Sequence, residues 1–234
     1  MRKPSFTLAE VLITLGIISV VAALTIPSVI GKYKERAIIS KYKKMYSTIS
    51  NAYNLAIVEH GDPANWGIED RAEFLNRITP YLNILEKCYN KKGCTSKGNF
   101  VSLSGELMWQ NLYDNTSMPK VRLYDGSSII MSGLPHPNCI YNYTNPDGSI
   151  TPFKNLCASI YIVISDTKST NYKNYYGKDF FNLQFTRQGV YPIGYDREDS
   201  IIKASCDKDN HGSGNGDTCG TWIQRYDNMD YYFK

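Results

Sequence analysis

Histidine is scarce in this sequence. His60, His136 and His211 are the only three, and each sits beside Gly or Pro in a segment that reads as loop. No Cys-x-x-Cys pair occurs, which argues against zinc and thioredoxin-type sites. No phosphate-binding glycine loop, dinucleotide fingerprint or nucleophile elbow is present, so no enzymatic activity is expected. An excess of one charge sign is also lacking. The net charge of +4 falls to +2 without Arg2 and Lys3, too little to argue for nucleic acid.

One absence is local and more telling. From Val11 to Gly31 there is no charged residue, and Lys32 ends the run. About 20 apolar residues rising 1.5 Å each span roughly 30 Å, the thickness of a bilayer core. A secretory signal has a shorter apolar core, about 7–15 residues, followed by a small-residue cleavage site. A simple anchor accounts for the run but not for Glu10 at its start, because an acid near bilayer depth is costly and by default functional.

The apolar pattern continues past the run. Ile38, Tyr42, Met45, Ile49, Ala52 and Ala56 follow in steps of four and three, one face of a helix. Gly61-Asp62-Pro63 breaks it. The spacing therefore predicts one helix of about 50 residues, bare in its first half and packed along one stripe in its second. Lys32, Lys34, Arg36, Lys41, Lys43 and Lys44 read first as a collar at lipid headgroups and second as contacts to acidic patches on neighbouring subunits.

Residues 69–87 read as a second helical region, with Phe74, Leu75, Ile78, Leu82 and Leu85 at helical spacing and Pro80 interrupting. Beyond about residue 100 the period shortens. Val121–Tyr124, Asp125-Gly126 and Ser127–Met131 form a hairpin signal. Ile160–Ile164 and Phe181–Phe185 read as strands, the latter turning through Arg187-Gln188-Gly189 into Val190-Tyr191. An α+β head with an antiparallel sheet of about four strands is expected. Nineteen tyrosines suit strand packing with hydroxyls at the solvent edge; a sugar-binding face is the sharper alternative.

Six cysteines follow the apolar run: Cys88, Cys94, Cys139, Cys157, Cys206 and Cys219. An even count in an exported domain reads as three disulfides, of which 15 pairings exist; buried free thiols are the alternative. Neighbour pairing is preferred, since each pair would close a short loop-like segment. Asp207-Lys208-Asp209-Asn210-His211-Gly212 starts like a calcium loop. It has Thr218 where the twelfth position would supply Glu, and Asp217 as a substitute ligand. Asp207, Asp209 and Asp217 are thus candidate calcium ligands, against a solvated loop closed by a disulfide. Asp166 with Asp179 is a second, weaker pair.

The segment Ser5-Phe6-Thr7-Leu8-Ala9-Glu10, with its basic leader and the apolar run behind it, resembles the N-terminus of type IV prepilins, shared by type IV pilins and the pseudopilins of type II secretion. Phe6 and Glu10 match the family's cleavage and assembly positions, and Pro27 its helix-kinking proline. Ser5 stands where the family normally has Gly. The resemblance covers residues 1 to about 55. It implies a leader, 1–5, removed by a prepilin peptidase between Ser5 and Phe6, with the Phe6 amine methylated. Residues 6–31 would be a transmembrane and assembly helix, 32–60 a stem, and 61–234 a pilin-like head. It further implies a single-pass protein of the bacterial inner membrane, amine inside and head outside, though the cations after the span would not by themselves give that orientation. Implied partners are membrane lipid, sibling subunits, the peptidase and an assembly platform driven by a cytoplasmic ATPase. The competing class is a membrane-anchored binding module that never polymerises, for glycans or surfaces. Two further stretches, Gly177-Lys178-Asp179-Phe180-Phe181 and Cys219-Gly220-Thr221-Trp222-Ile223 with Asn228-Met229-Asp230-Tyr231, are similar to a subset of pilin-like proteins known only as type II secretion proteins.

Overall fold

The computed structural model describes residues 7–144, 147–165, 168–212 and 214–233. Its dominant element is α1, Leu8–His60, a single helix of 53 residues. Among the described residues it is the one helix long and apolar enough to cross a membrane. Gly61, at φ 78°, donates its N–H to the Ile57 carbonyl and ends the helix. The shorter helices are α2 (Arg71–Ile78), α3 (Asp199–Ser205), α4 (Cys219–Tyr226) and α5 (Asp230–Phe233).

Among the described residues the strands are β1 (Ile84–Cys88), β2 (Asn99–Val101), β3 (Leu107–Trp109), β4 (Lys120–Leu123), β5 (Ser128–Ile130), β6 (Ile140–Thr144), β7 (Ile150–Lys154), β8 (Ala158–Val163), β9 (Lys173–Tyr175), β10 (Phe180–Thr186) and β11 (Gly189–Pro192). Six of them make an antiparallel sheet in the order β1-β4-β5-β8-β10-β11. β3-β2-β9 form a small sheet with β2 and β9 parallel, and β6-β7 stand apart as a hairpin.

The expectation of a long apolar N-terminal helix on a largely antiparallel, disulfide-stapled sheet holds. The strand count does not: the sheet has six strands rather than about four. Part of the difference lies in 69–87, which is not helical throughout. α2 ends at Ile78 because Pro80 cannot continue it, a short 3-10 turn follows, and Ile84–Cys88 pairs with β4 as an edge strand. Leu85, assigned to a helix face by spacing, is exposed on that edge.

The core sits between α1 and the sheet. Tyr42, Met45, Ile49, Ala52 and Ala56 are buried as the spacing predicts, and Tyr53 widens the stripe. Phe181, Leu183 and Phe185 of β10 point at it. The Tyr42 ring lies 4.5 Å from Phe181, and Tyr53 4.7 Å from Phe185. Buried tyrosines need a partner for the hydroxyl. Tyr53 donates to the Thr186 carbonyl at 3.0 Å, and the half-buried Tyr46 to that of Val190 at 2.9 Å.

Phe180 faces the other way, against Phe100 of β2 at 5.1 Å. The small sheet thus covers the second face of β10, whose residues are buried on both sides. Lys120 is fully buried in this second layer. Its ammonium donates to the carbonyls of Leu112 (2.8 Å), Tyr113 (3.4 Å) and Asn115, fixing the β3–β4 loop, and burial lowers its pKa to about 8.

Candidate functional site

The first half of α1 has no packing partner in the chain. Nearly every residue from 8 to 31 is exposed, Leu8 at 78% and Leu24 at 75%, and burial begins at Ile39. Three of its hydroxyls are satisfied within the helix. Thr14 donates to Val11 (3.0 Å), Ser19 to Leu15 (2.7 Å) and Thr25 to Val21 (2.9 Å). That is the arrangement a polar side chain needs where no water reaches. Pro27 lies inside the helix, which runs through it. Proline has no N–H, so the carbonyl four residues earlier loses its helical donor there.

Glu10 is the one charged side chain on this bare half, and its carboxylate closes a capping box. Thr7 is the N-cap; its Oγ1 accepts from the Glu10 N–H at 3.3 Å. Glu10 Oε2 accepts from the Thr7 N–H at 2.8 Å and from Thr7 Oγ1–H at 2.9 Å. Glu10 therefore has a local role in starting the helix, which reading it only as an intramembrane acid misses. Thr7 with Glu10 three residues on is the signal that would have found it. Ser5 and Phe6, the proposed cleavage pair, lie outside the described residues.

Three contacts dock the head on the stem just above the bare half. Glu35 accepts from the Met229 N–H at 2.6 Å, Lys43 pairs with Asp227 at 2.6 Å, and Lys44 pairs with Asp125 at 2.9 Å.

Three disulfides join Cys88–Cys94, Cys139–Cys157 and Cys206–Cys219, neighbours in sequence. The stretches Gly177–Phe181 and Cys219–Ile223 with Asn228–Tyr231 meet beside the last of them. Tyr231 donates its hydroxyl to the Gly177 carbonyl at 2.6 Å. A Cβ on Gly177 would fall 2.7 Å from Cys219, and one on Gly220 would fall 2.8 Å from the Tyr42 hydroxyl. Glycine at these positions lets the 177 turn and α4 close on each other and on α1.

The candidate calcium ligands do not come together. Asp207 Oδ1 accepts from the Asp209 N–H at 3.1 Å, an ordinary turn contact. The loop interior is taken by Asn215, whose amide donates to the carbonyls of Asp207 (2.5 Å) and Asn210. Among the described residues, the only three His, Cys, Asp or Glu side chains whose ligand atoms converge are Glu86, Cys88 and Cys94. Both of those sulfurs are already in a disulfide. Asp166 of the weaker pair lies outside the described residues. Asp179 accepts from the Tyr175 N–H (2.9 Å) and the Tyr172 hydroxyl (3.1 Å), and burial raises its pKa.

Asp217 instead turns inward. One carboxylate oxygen is buried without a partner, and burial pushes its pKa up to about 6, against the smaller pull of the Thr218 N–H and Arg197. Tyr161 and Tyr176 are its other near neighbours. A carboxylate held above its unfolded value favours the fold only while protonated. Its contribution is complete below about pH 4, falls as pH rises toward 6, and is gone above that. Asp217→Asn should therefore stabilise the chain at about pH 7.5 by roughly 2 kcal/mol, or roughly 4–8 °C in Tm, and change little at pH 4. Melts of the full chain in detergent at both pH values check this; equal shifts at the two would show that the charge is not the cause.

Comparison with protein-family models, with curated proteins and with solved structures finds no match for this chain.

Proposed function

We propose that this chain is a pilin-like subunit of a type IV pilus or a type II secretion pseudopilus. It is made as an inner-membrane precursor, cut between Ser5 and Phe6 by a prepilin peptidase, methylated at Phe6, and assembled with sibling subunits into a filament. The head is pushed out of the cytoplasm, and the work is structural.

The observation that carries the reading is the division of α1. One unbroken helix is bare and apolar for its first half, with Glu10 as its single charge, and docked on a folded head for its second half. An anchor needs the bare half and can use Glu10 only as a helix cap. A subunit that packs its helix against others uses both: the apolar surface for contact, and the carboxylate for register. Pro27 fits the same reading, as a point where the backbone hydrogen-bond ladder is already interrupted.

Mass spectrometry of the N-terminus from membrane fractions tests it. The mature chain should begin at Phe6 and carry one added methyl. An intact Met1, or a cut after Ala22 or Ala23, would replace this reading with a simple anchor or a secretory signal.

A further inference from the structure

Where the stem leaves the membrane-spanning run, α1 and the α4–α5 connection border an open cleft of about 480 Å³, lined by Arg36, Ile39, Ser40, Lys43 and Asp227. Arg36 lies three and four residues before Ile39 and Ser40, and Lys43 four and three after them, so the four share one face of the helix. Lys43 is tied to Asp227 at 2.6 Å and closes the upper end. Arg36, among the described residues, has no hydrogen-bond or ion-pair partner.

Height along the helix decides what reaches this cleft. If Gly31 marks the edge of the hydrocarbon, the Arg36 backbone stands roughly 7–8 Å above it at 1.5 Å per residue. The polar layer of one leaflet is itself about 5–7 Å deep. Helical side chains lean toward the N-terminus of their helix, here toward the bilayer, so the Arg36 guanidinium drops into that layer. Guanidinium is the side chain best matched to a phosphate by its planar fork of donors. The Ser40 hydroxyl, one turn up, adds a further donor, and Tyr33, 75% exposed, sits at the level where amphipathic rings favour the interface.

We propose that this cleft is a headgroup site: it receives the phosphate of an anionic phospholipid from the leaflet on the head side. Arg36 is the principal contact and Ser40 the second. The Ile39 side chain and the Lys43–Asp227 pair form its wall. The proposal rests on the membrane span and not on filament assembly, and the test uses the unassembled chain.

Native mass spectrometry of the full chain, released from nanodiscs of equal phosphatidylglycerol and phosphatidylcholine, reads the retained lipid directly. Phosphatidylglycerol should be retained in preference. Arg36→Ala should lower its retention about fivefold, the scale of one basic residue at an anionic surface. Ser40→Ala should act in the same direction and less. Lys34→Ala removes the same charge from the opposite side of the helix and should leave most of the lipid in place. Equal losses from Arg36→Ala and Lys34→Ala would reduce the site to a diffuse cationic collar and overturn the proposal. So would no preference between the two lipids. Displacement of the lipid by inorganic phosphate would assign the cleft to free phosphate instead, and would overturn the lipid as its occupant.

Discussion

Glu10→Gln should leave the chain processed, inserted and helical, and should stop it entering filaments. The capping box explains the first half of that result. Glutamine can accept from the Thr7 N–H as glutamate does, so the start of α1 keeps its two reciprocal contacts. What glutamine removes is the charge. A carboxylate at the edge of lipid is costly unless it has a positive partner. Under the proposed function, that partner would be the methylated amine of a neighbouring subunit's Phe6. The unpaired penalty would then favour the assembled state, and the pair would set the axial register. Glu10→Ala should show the same loss of assembly, with fraying of the first turn added because the Thr7 N–H loses its acceptor. Membrane fractionation, N-terminal mass and the yield of sheared filaments separate the steps. Should the Gln variant assemble as well as the unaltered chain, Glu10 is a helix cap and nothing more, and the strongest argument against a simple anchor fails.

That local role shows where sequence reading stops short. The stem stripe was legible because a helix buried on one side leaves a 3.6-residue imprint, and Ile49, Ala52 and Ala56 obey it. Tyr53 was not, because its burial depends on Phe74 and Phe185 arriving from elsewhere in the chain. The β10 strand was found although it is buried on both faces. The layer that buries its second face was not, since β2, β3 and β9 are three residues each and leave no period to read. Leu82 and Leu85 misled in the opposite sense: their spacing is helical, but Pro80 had already ended the helix. At the candidate calcium loop the residue types were right for a cation, and the structure fills the space with the Asn215 amide instead. No pattern of carboxylates announces a neutral side chain turned inward. The short helices α3, α4 and α5 were equally silent, being too brief to hold together by propensity.

Those short helices make the Cys206–Cys219 disulfide the second large effect. The bond closes 13 residues of polar, glycine-rich chain, which in the chain-entropy picture contributes about 3 kcal/mol. The loop lies on a working part of the core. Thr218 donates its hydroxyl to the Ile202 carbonyl at 3.0 Å, and the Gly216 N–H reaches the Ser205 carbonyl at 2.7 Å, so α3 and the start of α4 are held by the same loop. α4 in turn brings Gly220 against Tyr42, and the α4–α5 connection carries the Met229 N–H to Glu35. Replacing both cysteines by serine should lower Tm by roughly 6–12 °C for a head of this size. It should also open cleavage by protease between residues 206 and 219 before the rest of the head unfolds. The Cys139–Cys157 bond closes a comparable length, 18 residues, but at the foot of the isolated β6–β7 hairpin. Its removal should loosen that hairpin and leave the stem contacts intact, with the Glu35–Met229 and Lys43–Asp227 docking undisturbed. Limited proteolysis with mass mapping on the full chain in detergent distinguishes the two losses. A Cys206→Ser, Cys219→Ser variant that melts within about 2 °C of the unaltered chain and resists cleavage in that loop would show that packing alone holds α4 on the stem.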